Sequence, residues 1–223
     1  MEYIHNTEQF QFHNTVVALG KFDGMHKGHQ LIFDELIQYK QLGYQAAVFS
    51  FDRPPLNMLK HKHMRVIYTT NEKIKLLARR GIDIYIEHPF TDEFSHLSPE
   101  DFVIKVLLEK TGMKVLVVGD DCGFGYKRQG NVELLERMSK EYDFKLIVIP
   151  KLELEGEIVS STRIRHLLSE GKVEEANRLM EDPFMICGSV VHGNHMGAEV
   201  LQMPTANQIP LEDKLLRSEE HTS

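Results

Sequence analysis

The chain has 223 residues, 42% of them hydrophobic, with a net charge of −7 from 26 Lys+Arg and 33 Asp+Glu. That length holds one full α/β domain with a fragment of a second, or two small domains, and the acidic balance excludes a generally basic nucleic-acid-binding surface. Two cysteines, Cys122 and Cys187, are too few for a disulfide framework; with no basic-plus-apolar leader and no apolar run of about 18 residues, a cytoplasmic protein without a membrane partner is expected.

From Thr15 to Pro150, short β-branched runs alternate with helical periodicity. Val16–Leu19 predicts a first strand. After it comes Gly20-Lys-Phe-Asp-Gly-Met-His26-Lys-Gly-His29, which sets two histidines one turn apart where a strand hands over to a helix. Leu31, Ile32, Leu36, Ile37 and Tyr39 form the apolar stripe of that helix, and Gly43 ends it. Ala46–Phe51 is the second strand. Thr69 and Glu72 have the spacing of a capping box ahead of Ile74, Leu76 and Leu77, with Gly81 at the far end. Ile82–Ile86 follows as a strand. Ser98-Pro99-Glu100-Asp101 opens another helix, because Ser caps, Pro suits the first turn and acidic groups meet the dipole; Gly112 closes it. Val115–Val118 and Phe144–Ile149 complete the strands. Their near-continuous apolar character suits strands covered on both faces, so the alternation predicts a doubly wound, parallel α/β sheet.

Beyond Ser160 two helices are expected, Thr162–Leu168 and Val173–Met180, before Asp182-Pro183 breaks the chain. Phe184–Gly193 reads as a strand and turn of a different module. The predicted division is therefore a domain over 1–182, a second element over 183–216, and a patternless tail, Arg-Ser-Glu-Glu-His-Thr-Ser, over 217–223. That tail coincides with one reading frame of a common sequencing-library adapter and is read as non-native or disordered.

Three loops stand at the carboxyl ends of predicted strands, where open sheets bind ligands. The first carries His26 and His29, the second runs from Gly119 to Arg128, and the third is Ser160-Ser161-Thr162-Arg163-Ile164-Arg165. A helix N-terminus with imidazoles, and hydroxyls beside guanidinium groups, are both suited to phosphates. Each piece also has an ordinary reading: histidines of the surface or a satisfied core, a Ser-Ser-Thr helix cap, a Gly-Phe-Gly turn. The chain lacks a Gly-x-x-x-x-Gly-Lys-Ser/Thr loop and a Gly-x-Gly-x-x-Gly pattern, and nothing at zinc-ligand spacing accompanies the histidines.

Phe22-Asp23-Gly24-x-His26-x-Gly28-His29 together with Ser160-Ser161-Thr162-x-Ile164-Arg165 resembles the nucleotidyltransferase superfamily with its His-x-Gly-His signature, a Rossmann-like fold. Gly119-Asp120-Asp121-x-x-Phe124-Gly125 narrows the resemblance to the adenylyltransferase module of the prokaryotic bifunctional riboflavin kinase/FAD synthetase family. Gly188-Ser-Val-Val-His-Gly193-x-x-x-Gly197 and Pro204-Thr205-Ala206-Asn207 resemble the opening of that family's riboflavin kinase module, so an incomplete β-barrel fragment is expected after 183. The resemblance implies AMP transfer from ATP to FMN, giving FAD and pyrophosphate. It implies catalytic roles for His26, His29 and Arg165, and an ATP site of Gly20, Phe22, Asp23, Gly28, Ser160, Ser161 and Thr162. Asp121 and Phe124 would meet FMN. Mg²⁺ would be carried by the nucleotide phosphates and not by a protein metal site. Thr205 and Asn207 match kinase ATP/Mg²⁺ residues, but the later barrel strands and catalytic Glu of that module are not seen, so no riboflavin phosphorylation is expected of this chain.

The chain also departs from the family pattern. Arg53 and Pro54 stand where Phe-x-Pro-His-Pro has its first Pro and its His. Cys122 replaces a Phe, Ala198 an Arg, and Gln202-Met203 a Gly-Phe. The competing readings are a nucleotidyltransferase with another phosphorylated acceptor, and a non-catalytic flavin- or nucleotide-binding regulator.

Overall fold

A computed structural model describes residues 1–52, 65–191, 207–211 and 213–216. Arg53, Pro54, Gly193, Gly197, Ala198, Gln202, Met203, Pro204, Thr205, Ala206 and the tail at 217–223 lie outside the described residues, and Asn207 is described by its backbone alone.

Six strands make one sheet: β1 (Glu2–His5), β2 (Thr15–Leu19), β3 (Gln45–Phe51), β4 (Ile84–His88), β5 (Met113–Gly119) and β6 (Lys145–Ile149). Their order is β1-β4-β3-β2-β5-β6, with every pairing parallel. The strands expected from the apolar runs are all present, their ends displaced by one or two residues. β1 was not expected: Tyr3 and Ile4 are a lone apolar pair among polar neighbours, and only pairing with the edge of β4 makes them a strand.

The helices are α1 (Lys27–Gln41), α2 (Thr70–Arg80), the single turn α3 (Asp92–Ser95), α4 (Pro99–Asp101), α5 (Val132–Glu141), α6 (Ser161–Ser169) and α7 (Val173–Leu179). α4 runs on into a π-helical segment, Phe102–Leu108. The expected stops and starts hold where local chemistry decides them. Thr69 and Glu72 form the full capping box of α2, Gly81 ends it with φ +88°, and the Ser98 hydroxyl accepts from the Asp101 N–H.

Lying between β3 and β5, β2 is buried at all five positions. Val16 and Ala18 face a core shared with Phe33 and Leu36 of α1, Leu76 and Leu77 of α2 and Ile164 of α6. Val17 and Leu19 face the opposite core, with Phe102, Leu107 and Leu135. Each fully buried side chain of this size contributes roughly 1.5–3 kcal/mol, so the strand that delivers the first loop is held firmly from both sides. After β6 come the short antiparallel pair β7 (Glu153–Leu154) and β8 (Glu157–Ile158), and later the antiparallel pair β9 (Gly188–Val191) and β10 (Asn207–Pro210). The β9–β10 pair fits a partial barrel. Among the described residues no helix is long and apolar enough to cross a membrane.

Candidate active site

β2 and β5 are neighbours in the sheet, and the loops leaving their carboxyl ends flank the crevice where the strand order reverses. The β2–α1 loop turns sharply: φ is +48° at Phe22, +36° at Met25 and +84° at Gly24. Left-handed backbone at non-glycine residues is strained and persists only where packing over-determines it. Here the Phe22 ring is buried, edge-on to His29 at 5.2 Å and tilted against Phe33 at 5.0 Å. Gly20 leaves room for that ring, since a Cβ there would come within 2.9 Å of it.

His26 sits at the N-cap of α1 in extended conformation, its side chain makes no capping bond, and the first turn has no acidic residue. α2 to α6, by contrast, are each capped by a side chain, from Thr69, Thr91, Ser98, Asn131 and Ser160. The open N-terminus of α1 thus keeps its positive dipole end for something else. Over it the His26 and His29 rings stack, 3.6 Å between centroids and 19° between planes. Gly28 permits this arrangement, because a Cβ at that position would lie 3.1 Å from His26 Nδ1.

The Nδ1 atoms of His26 and His29 are buried and have no hydrogen-bond partner among the described residues. Burial pushes His26 down to about 4, against the opposing charges of Asp23 and Asp121; burial and then the neighbouring His26 hold His29 well below the usual histidine range. Both rings are therefore neutral near pH 7, each with one N–H and one lone pair. Buried polar atoms left unpaired are costly, about 1–3 kcal/mol each, so this pair is poised for a hydrogen-bonding ligand.

The third loop is joined to the first through Asp23. Ser160 caps α6 by accepting from the Arg163 N–H at 3.2 Å. Ser161 Oγ donates to the Asp23 carbonyl, and the Arg165 guanidinium pairs with the Asp23 carboxylate through Nη2. Arg165 Nη1 also donates to the Arg65 carbonyl at 3.1 Å. The other oxygen of the buried Asp23 accepts from the Ile67 N–H at 3.0 Å and the Tyr68 N–H at 3.4 Å. Thr162 is exposed. Ser161 and Arg165 are thus brought beside the histidine loop, but with hydrogen-bonding groups engaged inside the protein.

In the second loop Asp121 is exposed and pairs with Lys151 at 3.3 Å. Phe124 is buried against Phe102, with 5.8 Å between ring centroids, and exchanges backbone hydrogen bonds with Gly130 at 3.2 and 2.9 Å. It stands in the core below the loop and not on an open wall. The nearby Cys122 is half-buried, its thiol pushed up to about 12 by burial. Among the described residues no three His, Cys, Asp or Glu side chains gather as a metal site. The strap Arg65–Tyr68, whose amides hold Asp23, was not legible: its short apolar run, Val66-Ile67-Tyr68, signals burial but no partner.

The FAD synthetase family model matches residues 8–163, and the riboflavin kinase model matches residues 180–220. The bifunctional riboflavin kinase/FMN adenylyltransferase of Buchnera aphidicola subsp. Schizaphis graminum is 39% identical over 207 residues, covering 92% of this chain and 66% of that protein. The protein of the same description in Listeria monocytogenes is 35% identical over 220 residues, 96% of this chain and 69% of its own length. A second Listeria monocytogenes protein, described as FAD synthetase, is 32% identical over 191 residues, 85% of this chain and 77% of that one. A crystal structure from Streptococcus pneumoniae, described as a macrolide-efflux protein, superposes with a TM-score of 0.83 at 30% identity, covering 97% of this chain and 71% of that chain. The chain spans about two thirds of the length of the Buchnera relatives, 66% and 65%, and the riboflavin kinase domain is only partly present in it. With its histidine loop, its parallel sheet and a match over 8–163, the chain belongs to the FAD synthetase family.

Proposed function

We propose that this protein transfers AMP from ATP to FMN, giving FAD and pyrophosphate. The observation that carries the reading is the stacked His26–His29 pair, its Nδ1 atoms unpartnered among the described residues, over the uncapped N-terminus of α1. Family membership supports the choice of substrates. A phosphate oxygen of FMN attacks the α-phosphorus of ATP in line; the new P–O bond forms as the bond to the β-phosphate oxygen breaks, and pyrophosphate leaves with that electron pair. The nucleophile is already an anion, so no strong general base is required, and the protein's work is positioning and charge stabilisation.

In this reading His26 and His29 donate N–H bonds to phosphate oxygens as negative charge moves onto the leaving group. The dipole of α1 acts in the same direction. Gly20, Phe22 and Gly28 shape the loop so that both rings reach one place. Asp23 is the joint: it holds Arg165 and the Ser161 hydroxyl in register with the histidines. Thr162, exposed at the start of α6, is free to meet the triphosphate, while Ser160 secures the helix. Asp121 faces the FMN side, and Phe124 supports that loop from below. The described residues do not gather a cation site, and Asp23 is engaged by Arg165 and two amides. Mg²⁺ would arrive with the nucleotide phosphates, and no step here is routed through it.

The same reading takes residues 1–182 as the transferase unit, 183–216 as the riboflavin kinase portion and 217–223 as a tail. It has the protein working in the cytoplasm on small molecules, with neither nucleic acid nor membrane as partner. Incubation with ATP, Mg²⁺ and FMN followed by chromatography tests it. FAD with one equivalent of pyrophosphate is expected; no FAD from folded protein overturns the assignment.

A further inference from the structure

Lys214 is the most unexpected buried group among the described residues. Its side chain and that of Glu72 are fully enclosed and paired at 2.7 Å. Its Nζ also donates to the carbonyls of Ile67 and Met185, both at 2.6 Å, so all three ammonium protons have acceptors. The rings of Tyr68 and Phe184 flank it at 5.1 and 4.3 Å. A buried ion pair contributes little net stability against an apolar alternative, yet removing one member leaves a stranded charge. Such a pair in the core suggests a task beyond holding the fold.

The backbone shows where the task lies. The Val66 N–H donates to the Asp213 carbonyl and the Leu215 N–H to the Val66 carbonyl, both at 2.7 Å, so residues 213–215 lie as a short parallel bridge along the strap. On its other side that strap gives the amides of Ile67 and Tyr68 to Asp23, and the Arg65 carbonyl accepts from Arg165. Glu72 ties the same region further: it completes the capping box at Thr69 and accepts from the Cys187 N–H at 2.7 Å.

We propose that Lys214 is a positioning residue for the histidine loop, acting through Glu72 and the strap 65–68 on Asp23 and Arg165. Lys214 falls in the segment matched by the riboflavin kinase model, so that portion of the chain sets the geometry of the adenylyl-transfer site. The consequence for turnover rests on the reading given under Proposed function; the mechanical link does not.

The test uses the full chain with Lys214→Met and the double variant Glu72→Gln/Lys214→Met. The double variant leaves no stranded carboxylate and keeps a Gln that serves the capping box. Amide hydrogen exchange, read without substrate, should speed up over residues 22–29 by about threefold to thirtyfold in each folded variant, with β5 unchanged. With substrates, KM for ATP should rise by a comparable factor and kcat less. If Lys214→Met fails to fold, the double variant carries the test. Exchange over 22–29 at the wild-type rate in a folded variant overturns the proposal, whether or not the protein makes FAD. Absence of FAD from wild type, with the exchange change present, overturns only the functional reading.

Discussion

The β2–α1 loop and the start of α6 look alike in sequence, each a cluster of side chains of types suited to phosphates opening a helix, and the fold treats them in opposite ways. At α6 the cluster is largely spent on the protein itself: Ser160 caps, Ser161 holds the Asp23 carbonyl, and Arg165 pairs with the Asp23 carboxylate. At α1 the N-cap position is taken by a histidine that caps nothing, and two imidazole nitrogens are buried with no partner among the described residues. Polar groups kept unsatisfied in a packed site point to a ligand; polar groups that satisfy one another point to scaffolding. Under the proposed function the two loops divide the work, the first meeting phosphates and the third aiming the first.

His29→Ala gives the largest expected effect on that division. Losing one preorganised donor should lower kcat for FAD formation by about 10²–10³-fold, while circular dichroism and the melting curve stay near wild type. Turnover at the wild-type rate would place the phosphates elsewhere. Arg165→Met comes next. If the Asp23 pair is scaffolding, denaturant titration should show about 2 kcal/mol of lost stability, because a buried carboxylate loses its cation. Full stability with abolished turnover would reverse the contrast and make Arg165 a phosphate ligand.

The pH dependence is smaller and its sign follows from burial. His26 titrates near 4 in the folded protein and His29 well below the usual range, whereas both return to about 6.5 on unfolding. Between roughly pH 6.5 and 4 the unfolded chain binds protons that the folded chain refuses, so stability should fall on acidification through that window and be complete above it. A bound polyphosphate favours the protonated form and raises both values. Calorimetric titration with ATP near pH 6, in two buffers of different ionisation heat, should therefore show proton uptake that His29→Ala reduces. The smallest effect is Ser160→Ala, about 1 kcal/mol of stability from a lost helix cap; a collapse of ATP binding without loss of stability would make Ser160 a ligand and not a cap.

The parallel sheet was legible because central strands covered on both faces must be apolar throughout, as Val16–Leu19 and Val115–Val118 are. Helix ends were legible for the same local reason at Thr69, Gly81 and Ser98, where cap chemistry depends on residues within a few positions. β1 and the π-helical Phe102–Leu108 were not, since Tyr3 and Ile4 need β4 as a template and π-helical hydrogen bonding leaves no distinct residue pattern. Phe124 could not be told from an open pocket wall by its neighbours in sequence; only packing under Phe102 shows it as core.

By itself the amino-acid sequence determined the class of fold, the strand and helix starts that obey short-range rules, and the residue types gathered at the strand ends, including the histidine pair and its intervening glycine. Tertiary structure decided which of those residues remain available. Asp23 came to be engaged by Arg165 and by the amides of Ile67 and Tyr68, and Lys214 came to lie under the strap that supplies those amides. The reason is physical: periodicity and capping act over a few residues, whereas the satisfaction of a buried donor or acceptor depends on groups 44 to 147 positions away that only the folded chain brings within hydrogen-bond reach.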